Sequence, residues 1–279
     1  MDKIIVISII LMIFLGIISI MSGDILIFWL VLELMSLSLA PCIISNSFNA
    51  NDSLMNYIFA ISISSSLMLV GLLYSDFFFF FFLGFWYKFG VFPCILWLYS
   101  VFCQSKSWLV CWGISVLMKV PLLGVSYFIY GLDSLVIFLC VVFGLVFSSL
   151  MFWLYSLNWF CVWGHIVVSS SCLLFYLISM VDLSDFILLF LLYIIWSTGV
   201  LVYLGLFNGF YGYLLFLVSL PLGFNLVYKV MFSFYLISLS FYIMVIWVIY
   251  CFMEQLYLFK WLVSNVIVKS VWINKILVW

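Results

Sequence analysis

Long apolar runs separated by brief polar punctuation fill this chain. Runs of span length occupy residues 4–21, 25–45, 54–74, 77–102, 109–130, 135–155, 160–180, 186–207, 211–232 and 233–252. A helix needs about 20 apolar residues to cross the hydrocarbon core of a bilayer. The pattern therefore predicts about ten membrane-spanning helices, with no polar loop between the ninth and tenth. A transmembrane barrel would show short segments of alternating polarity. Continuous apolar runs favour helices, which satisfy every backbone group internally. The predicted fold is all-α: a polytopic transmembrane helix bundle of about ten spans, forming one domain over residues 1–255. Residues 256–279 carry Lys260, Asn265, Lys269 and Lys275. They read as an interfacial helix whose lysines snorkel to water, or as a poor eleventh span.

Composition agrees with lipid as the solvent. Hydrophobic residues make up 70% of the chain and charged residues 6%, against roughly 25% charged in soluble domains. There is no arginine, and there are single copies of threonine (Thr198) and histidine (His165). The favoured residues have codons rich in T and G, a skew of the kind a compact animal mitochondrial genome shows. The first apolar run shows no convincing cleavage site, so no removable targeting peptide is expected. The eight cysteines lack C-x-x-C spacing. They read as small apolar filler, and neither a zinc site nor a redox dithiol is expected; no nucleic-acid partner and no other metal is expected either.

Most of the charges mark span ends. Threading ten spans puts Lys3, Lys106, Lys260, Lys269 and Lys275 on one side, and Asp24, Asp76, Asp133, Asp182 and Asp185 on the other. Asp52 and Glu254 are exceptions. The positive-inside rule makes the lysine side the side of synthesis, here the mitochondrial matrix. His165, near the start of its run, reads as a packing or interfacial residue.

Four ionisable residues remain deep inside apolar runs: Glu33, Lys88, Lys119 and Lys229. Each such charge costs roughly 2.5–3.5 kcal/mol at the centre of a spanning helix. Intramembrane charges therefore pair, line a water-filled path, or both. Lysine suits proton transfer because it can lose its proton when desolvated and regain it beside a carboxylate; arginine stays charged. At helical spacing, Ser36 accompanies Glu33, Ser115 accompanies Lys119, and Asn225 and Ser233 flank Lys229. All four prolines lie near these charges: Pro41, Pro93, Pro121 and Pro221. Proline removes a backbone donor, so broken helices are expected at these points, of the kind that line cavities at membrane depth.

These residues resemble the chain 2 family of antiporter-like membrane subunits of respiratory NADH:ubiquinone oxidoreductase (complex I). The family's early W-x-x-x-E is similar to Trp29-Leu30-Val31-Leu32-Glu33. Its K-x-G-x-x-P-F-H-x-W resembles the stretch from Lys88 through Gly90 and Pro93 to Trp97, without the Phe-His pair. Its W-Q-K-I-A-P-L is similar to Leu117-Met118-Lys119-Val120-Pro121-Leu122, with proline one place earlier. Its P-P-x-x-G-F-x-x-K is echoed from Pro221 to Lys229.

The resemblance implies one antiporter-like domain in the mitochondrial inner membrane, packed against other membrane subunits of the complex and the lipid bilayer. Glu33 and Lys88 would form a glutamate–lysine pair. Lys119 would be the central proton-carrying lysine, and Lys229 would continue the path. The chain would bind no cofactor, while the complex passes electrons from NADH to ubiquinone and this subunit moves protons. Alternatives are another antiporter-like chain of the same complex, or a membrane scaffold that does not pump. A haem subunit would need several axial histidines, and an ATP synthase proton channel an intramembrane arginine.

Overall fold

A computed structural model describes residues 3–46, 49–125, 134–156, 158–206, 210–221 and 223–264. The described residues form helices with no strand. In chain order these are α1 (Lys3–Met21), α2 (Ile25–Ser38), α3 (Ala40–Asn46), α4 (Ala50–Leu73), α5 (Phe78–Phe89), α6 (Leu96–Ser105), α7 (Trp108–Ser115), α8 (Leu122–Val125), α9 (Ser134–Leu154), α10 (Trp159–Met180), α11 (Leu183–Leu206), α12 (Phe210–Phe216), α13 (Phe224–Leu239) and α14 (Phe241–Leu262). Short 3-10 turns occupy Ser75–Phe77 and Leu117–Lys119.

Among the described residues, eight helical stretches are long and apolar enough to cross a membrane. Two of these join neighbouring elements: Ile25–Ser45 combines α2 with most of α3, and Trp108–Val125 combines α7 with α8. The run over 77–102 is divided between α5 and α6. Gly90 explains the end of α5. It takes the left-handed conformation, φ 63°. Its N–H donates to the Tyr87 carbonyl, and the Val91 N–H donates to the Trp86 carbonyl. This paired cap closes a helix at a glycine.

The loop-free junction near residues 232 and 233 lies inside α13 instead. The chain turns at Ser240, which is extended (φ −157°, ψ 121°) and begins α14. Apolar residues on both sides conceal that turn. Helix α14 continues across residue 256 to Leu262, and the Leu258 carbonyl accepts a bond from the Tyr213 hydroxyl. Asp133 and the tail beyond Ser264, with Lys269 and Lys275, lie outside the described residues.

The helices are sorted by depth in the bundle. The central one is α10, whose span window is entirely buried. It is buried on every face, and its small residues Ser169, Ser170 and Ser171 allow close neighbours. Peripheral helices turn Ile7, Phe14, Phe59, Phe234 and Tyr242 outward, a surface suited to lipid.

Helices α4 and α5 approach at two glycines. A Cβ at Gly84 would stand 2.5 Å from the Ser64 carbonyl oxygen, and one at Gly71 would collide with the Phe81 backbone. This contact seats α5, and Lys88 with it, against α4. Gly84→Val should therefore destabilise the purified protein by about 1–3 kcal/mol, the usual range for overpacking. Gly23→Ala, where nothing lies within 4 Å, should leave it nearly unchanged. Thermal melts in detergent read the difference, and equal melts would contradict this packing.

Candidate functional site

Lys88 sits one residue inside the end of α5, just before the Gly90 cap. The negative end of the helix dipole there favours a cation. Its ammonium reaches across to α2, 2.8 Å from Glu33 Oε1 and 3.0 Å from the Leu32 carbonyl oxygen. The lysine side chain is almost fully buried, and the glutamate is partly open at 16% exposure. The two expected partners therefore form an ion pair. A void about the size of one water lies beside Lys88, lined also by Tyr57, Ser64, Trp97 and Met118. Met118 immediately precedes Lys119.

Lys119 occupies the one-turn 3-10 segment between α7 and α8. In a continuous α-helix its N–H would bond the Ser115 carbonyl. Here it bonds the Val116 carbonyl instead, which frees Ser115. The Tyr193 hydroxyl of α11 takes that freed carbonyl at 2.7 Å. The same phenol oxygen accepts from Lys119 Nζ at 3.0 Å. Ser170 Oγ of α10 accepts at 2.9 Å, and the Val167 carbonyl lies at 3.4 Å. Three N–H donors thus meet three neutral oxygens. The Tyr193 ring adds a cation–π contact, 4.7 Å from Nζ to the centroid.

Lys229, on α13, pairs with Glu254 of α14 at 2.7 Å. The whole Glu254 residue is 2% exposed. This corrects its placement as an end-of-span exception. The sequence reading ended the tenth run at Phe252, just before this charge, whereas α14 carries it inside. Both partners lie roughly three to four helical turns from the reversal at Ser240, so the α13–α14 hairpin brings them level. The signal for Glu254 was a deficit: three buried lysines had only one buried acid between them.

The expected polar company is partly redirected. Ser36 Oγ bonds the Glu33 carbonyl, and Ser233 Oγ bonds that of Val230, so each hydroxyl serves its own helix. Ser115 acts through its carbonyl; its hydroxyl is buried without a partner among the described residues. The Asn225 amide donates to the Leu217 carbonyl, and Gln255 Oε1 accepts from the Ser219 N–H at 2.9 Å. These amides satisfy backbone groups in the irregular segment between α12 and α13, which contains Pro221. Such backbone is tolerated at depth only where it finds partners.

Aromatic residues lie between the Lys119 and Lys229 regions. Tyr228, adjacent in sequence to Lys229, stacks on Trp196 with centroids 4.6 Å apart and packs 6.2 Å from Tyr193. Its hydroxyl is buried without a partner among the described residues. His165 is fully buried. Its Nδ1 lies 2.7 Å from the Tyr99 hydroxyl, and its Nε2 lies 3.3 Å from the Tyr155 carbonyl. A neutral ring protonated at Nε2 satisfies both, with Tyr99 donating. The residue thus ties α10 to α6 and to the end of α9. No group of potential metal ligands occurs among the described residues.

No protein-family model matches the chain, and no curated protein matches it.

The Lys229–Glu254 pair should show the asymmetry of buried ions. Glu254→Leu alone strands a cation, and should cost about 3–5 kcal/mol of stability. Lys229→Met combined with Glu254→Leu should recover most of that loss. Melting of the purified single and double variants reads it, and an equal loss in both would contradict the pairing.

Proposed function

We propose that this chain is a proton-translocating membrane subunit of NADH:ubiquinone oxidoreductase, similar to chain 2 of that complex. It acts in the mitochondrial inner membrane as a multi-pass subunit of about ten spans, with broken helices near its prolines. It carries no redox centre and contacts other membrane subunits of the complex. The observation that carries this reading is the arrangement of its buried cations. Lys88 and Lys229 each hold a carboxylate within 2.8 Å, whereas among the described residues Lys119 faces only neutral oxygens.

That arrangement divides the chemistry. A lysine held by serine, tyrosine and carbonyl oxygens has no fixed counter-charge, so its proton is the one most readily exchanged when the surroundings change. Separation of the Glu33–Lys88 pair would alter the field at Lys119 and bias its protonation. The Lys229–Glu254 pair supplies both an acid and a base on the far segment. The buried hydroxyls of Ser115 and Tyr228 are groups to which bridging water would bind, since an unpaired buried hydroxyl costs about 1–3 kcal/mol. Electron transfer elsewhere in the complex would drive the change at the first pair.

Lys119→Met tests the role. In the assembled complex it should abolish or strongly reduce the proton translocation coupled to NADH oxidation, while assembly remains normal. An unchanged ratio of protons to electrons in a normally assembled complex would overturn the reading and favour a scaffold that does not pump.

A further inference from the structure

The seam between α6 and α10 brings two cysteines together that lie far apart in sequence. Cys103 Sγ and Cys161 Sγ stand 2.6 Å apart. One turn further along each helix, Tyr99 bonds His165. The two contacts run in opposite sequence directions, which fixes an antiparallel register. Gly164 makes the approach possible, because a Cβ there would lie 2.9 Å from the Tyr99 ring. The cysteine contact therefore belongs to a seam with defined packing on both sides.

The pair lies at two helix ends, close to the exposed Lys106. Cys103 lies in the last turn of α6, three residues before the exposed Lys106, and is itself partly exposed. Cys161 lies in the first turn of α10 and is buried. Both are free thiols. The more exposed thiol meets an oxidant first, and the buried neighbour is placed to attack it.

We propose that Cys103 and Cys161 form a reversible redox site that closes to a disulfide on reaction with a hydroperoxide. The Cys103 thiolate attacks one peroxide oxygen, the O–O bond breaks, and a sulfenic acid and hydroxide result. Cys161 sulfur then attacks the sulfenic sulfur. The S–S bond forms, the S–O bond breaks, and water leaves as the Cys161 proton is taken up. In sum, two thiols are oxidised and one hydrogen peroxide is reduced to two waters. The product joins the end of α6 to the start of α10, the helix that holds Lys119 through Ser170.

Differential thiol labelling of the full chain in its native membranes tests this. Membranes are treated with hydrogen peroxide, denatured and blocked with maleimide. They are then reduced with dithiothreitol, labelled with heavy-isotope maleimide and read by mass spectrometry. Cys103 and Cys161 should gain heavy label together and in equal amount. Cys161→Ser should abolish the reducible label at Cys103 and leave a sulfenic acid captured by dimedone. Light label on both cysteines after peroxide, or an undiminished reducible label at Cys103 in Cys161→Ser, would overturn the proposal.

Discussion

A lysine inside an apolar bundle must be given oxygen atoms, and much of this architecture follows from where those atoms come from. Desolvating a charge without partners is prohibitive. Each buried lysine therefore sits where the backbone or a second helix supplies acceptors. Lys88 lies at the closing turn of α5 and reaches Glu33 across to α2. Lys119 lies in a 3-10 turn whose geometry frees a carbonyl for the tyrosine that in turn holds the lysine. Lys229 lies on one arm of a hairpin whose other arm brings Glu254. The irregular backbone and the charges are thus aspects of one arrangement.

The central helix serves the middle one of these sites. Enclosed on every face, α10 presents Ser170 and the Val167 carbonyl to Lys119 and His165 to Tyr99. Because it does not face lipid, its residues are free to be small and polar. Its serines shorten the distance to neighbouring helices and offer oxygens at the same time. Peripheral helices such as α4 and α14 turn mainly large apolar residues outward, and the exposed Ser62 and Ser66 of α4 return their hydroxyls to their own helix.

Much of this was legible in the sequence. The apolar runs marked a helical membrane protein, and the pairing of Glu33 with Lys88 was what the resemblance implied, since isolation in apolar runs alone left Glu33 three lysines to choose from. Pro121 marked the irregular backbone around Lys119. Other features were hidden for physical reasons. Tyr193 and Ser170 are ordinary residues in a chain rich in both types, and only tertiary packing selects them. Ser115 was expected to serve Lys119 through its hydroxyl, but the change from α to 3-10 geometry shifts the register and brings its carbonyl into use. Glu254 was hidden because a charge near the end of an apolar run looks like the end of that run. The α13–α14 turn was hidden because Ser240 lies between apolar stretches with no charged or glycine-containing loop to mark the reversal.

The proposed mechanism requires that the three lysine sites communicate through water rather than through packed hydrocarbon. Cryo-electron microscopy of the assembled complex in lipid, at a resolution that shows ordered water, measures this most directly. The account predicts water density linking Lys88, Lys119 and the Lys229–Glu254 pair, including water on the Tyr228 and Ser115 hydroxyls. Continuous packing of Phe, Leu and Trp side chains between the three sites, with no water density, would contradict it.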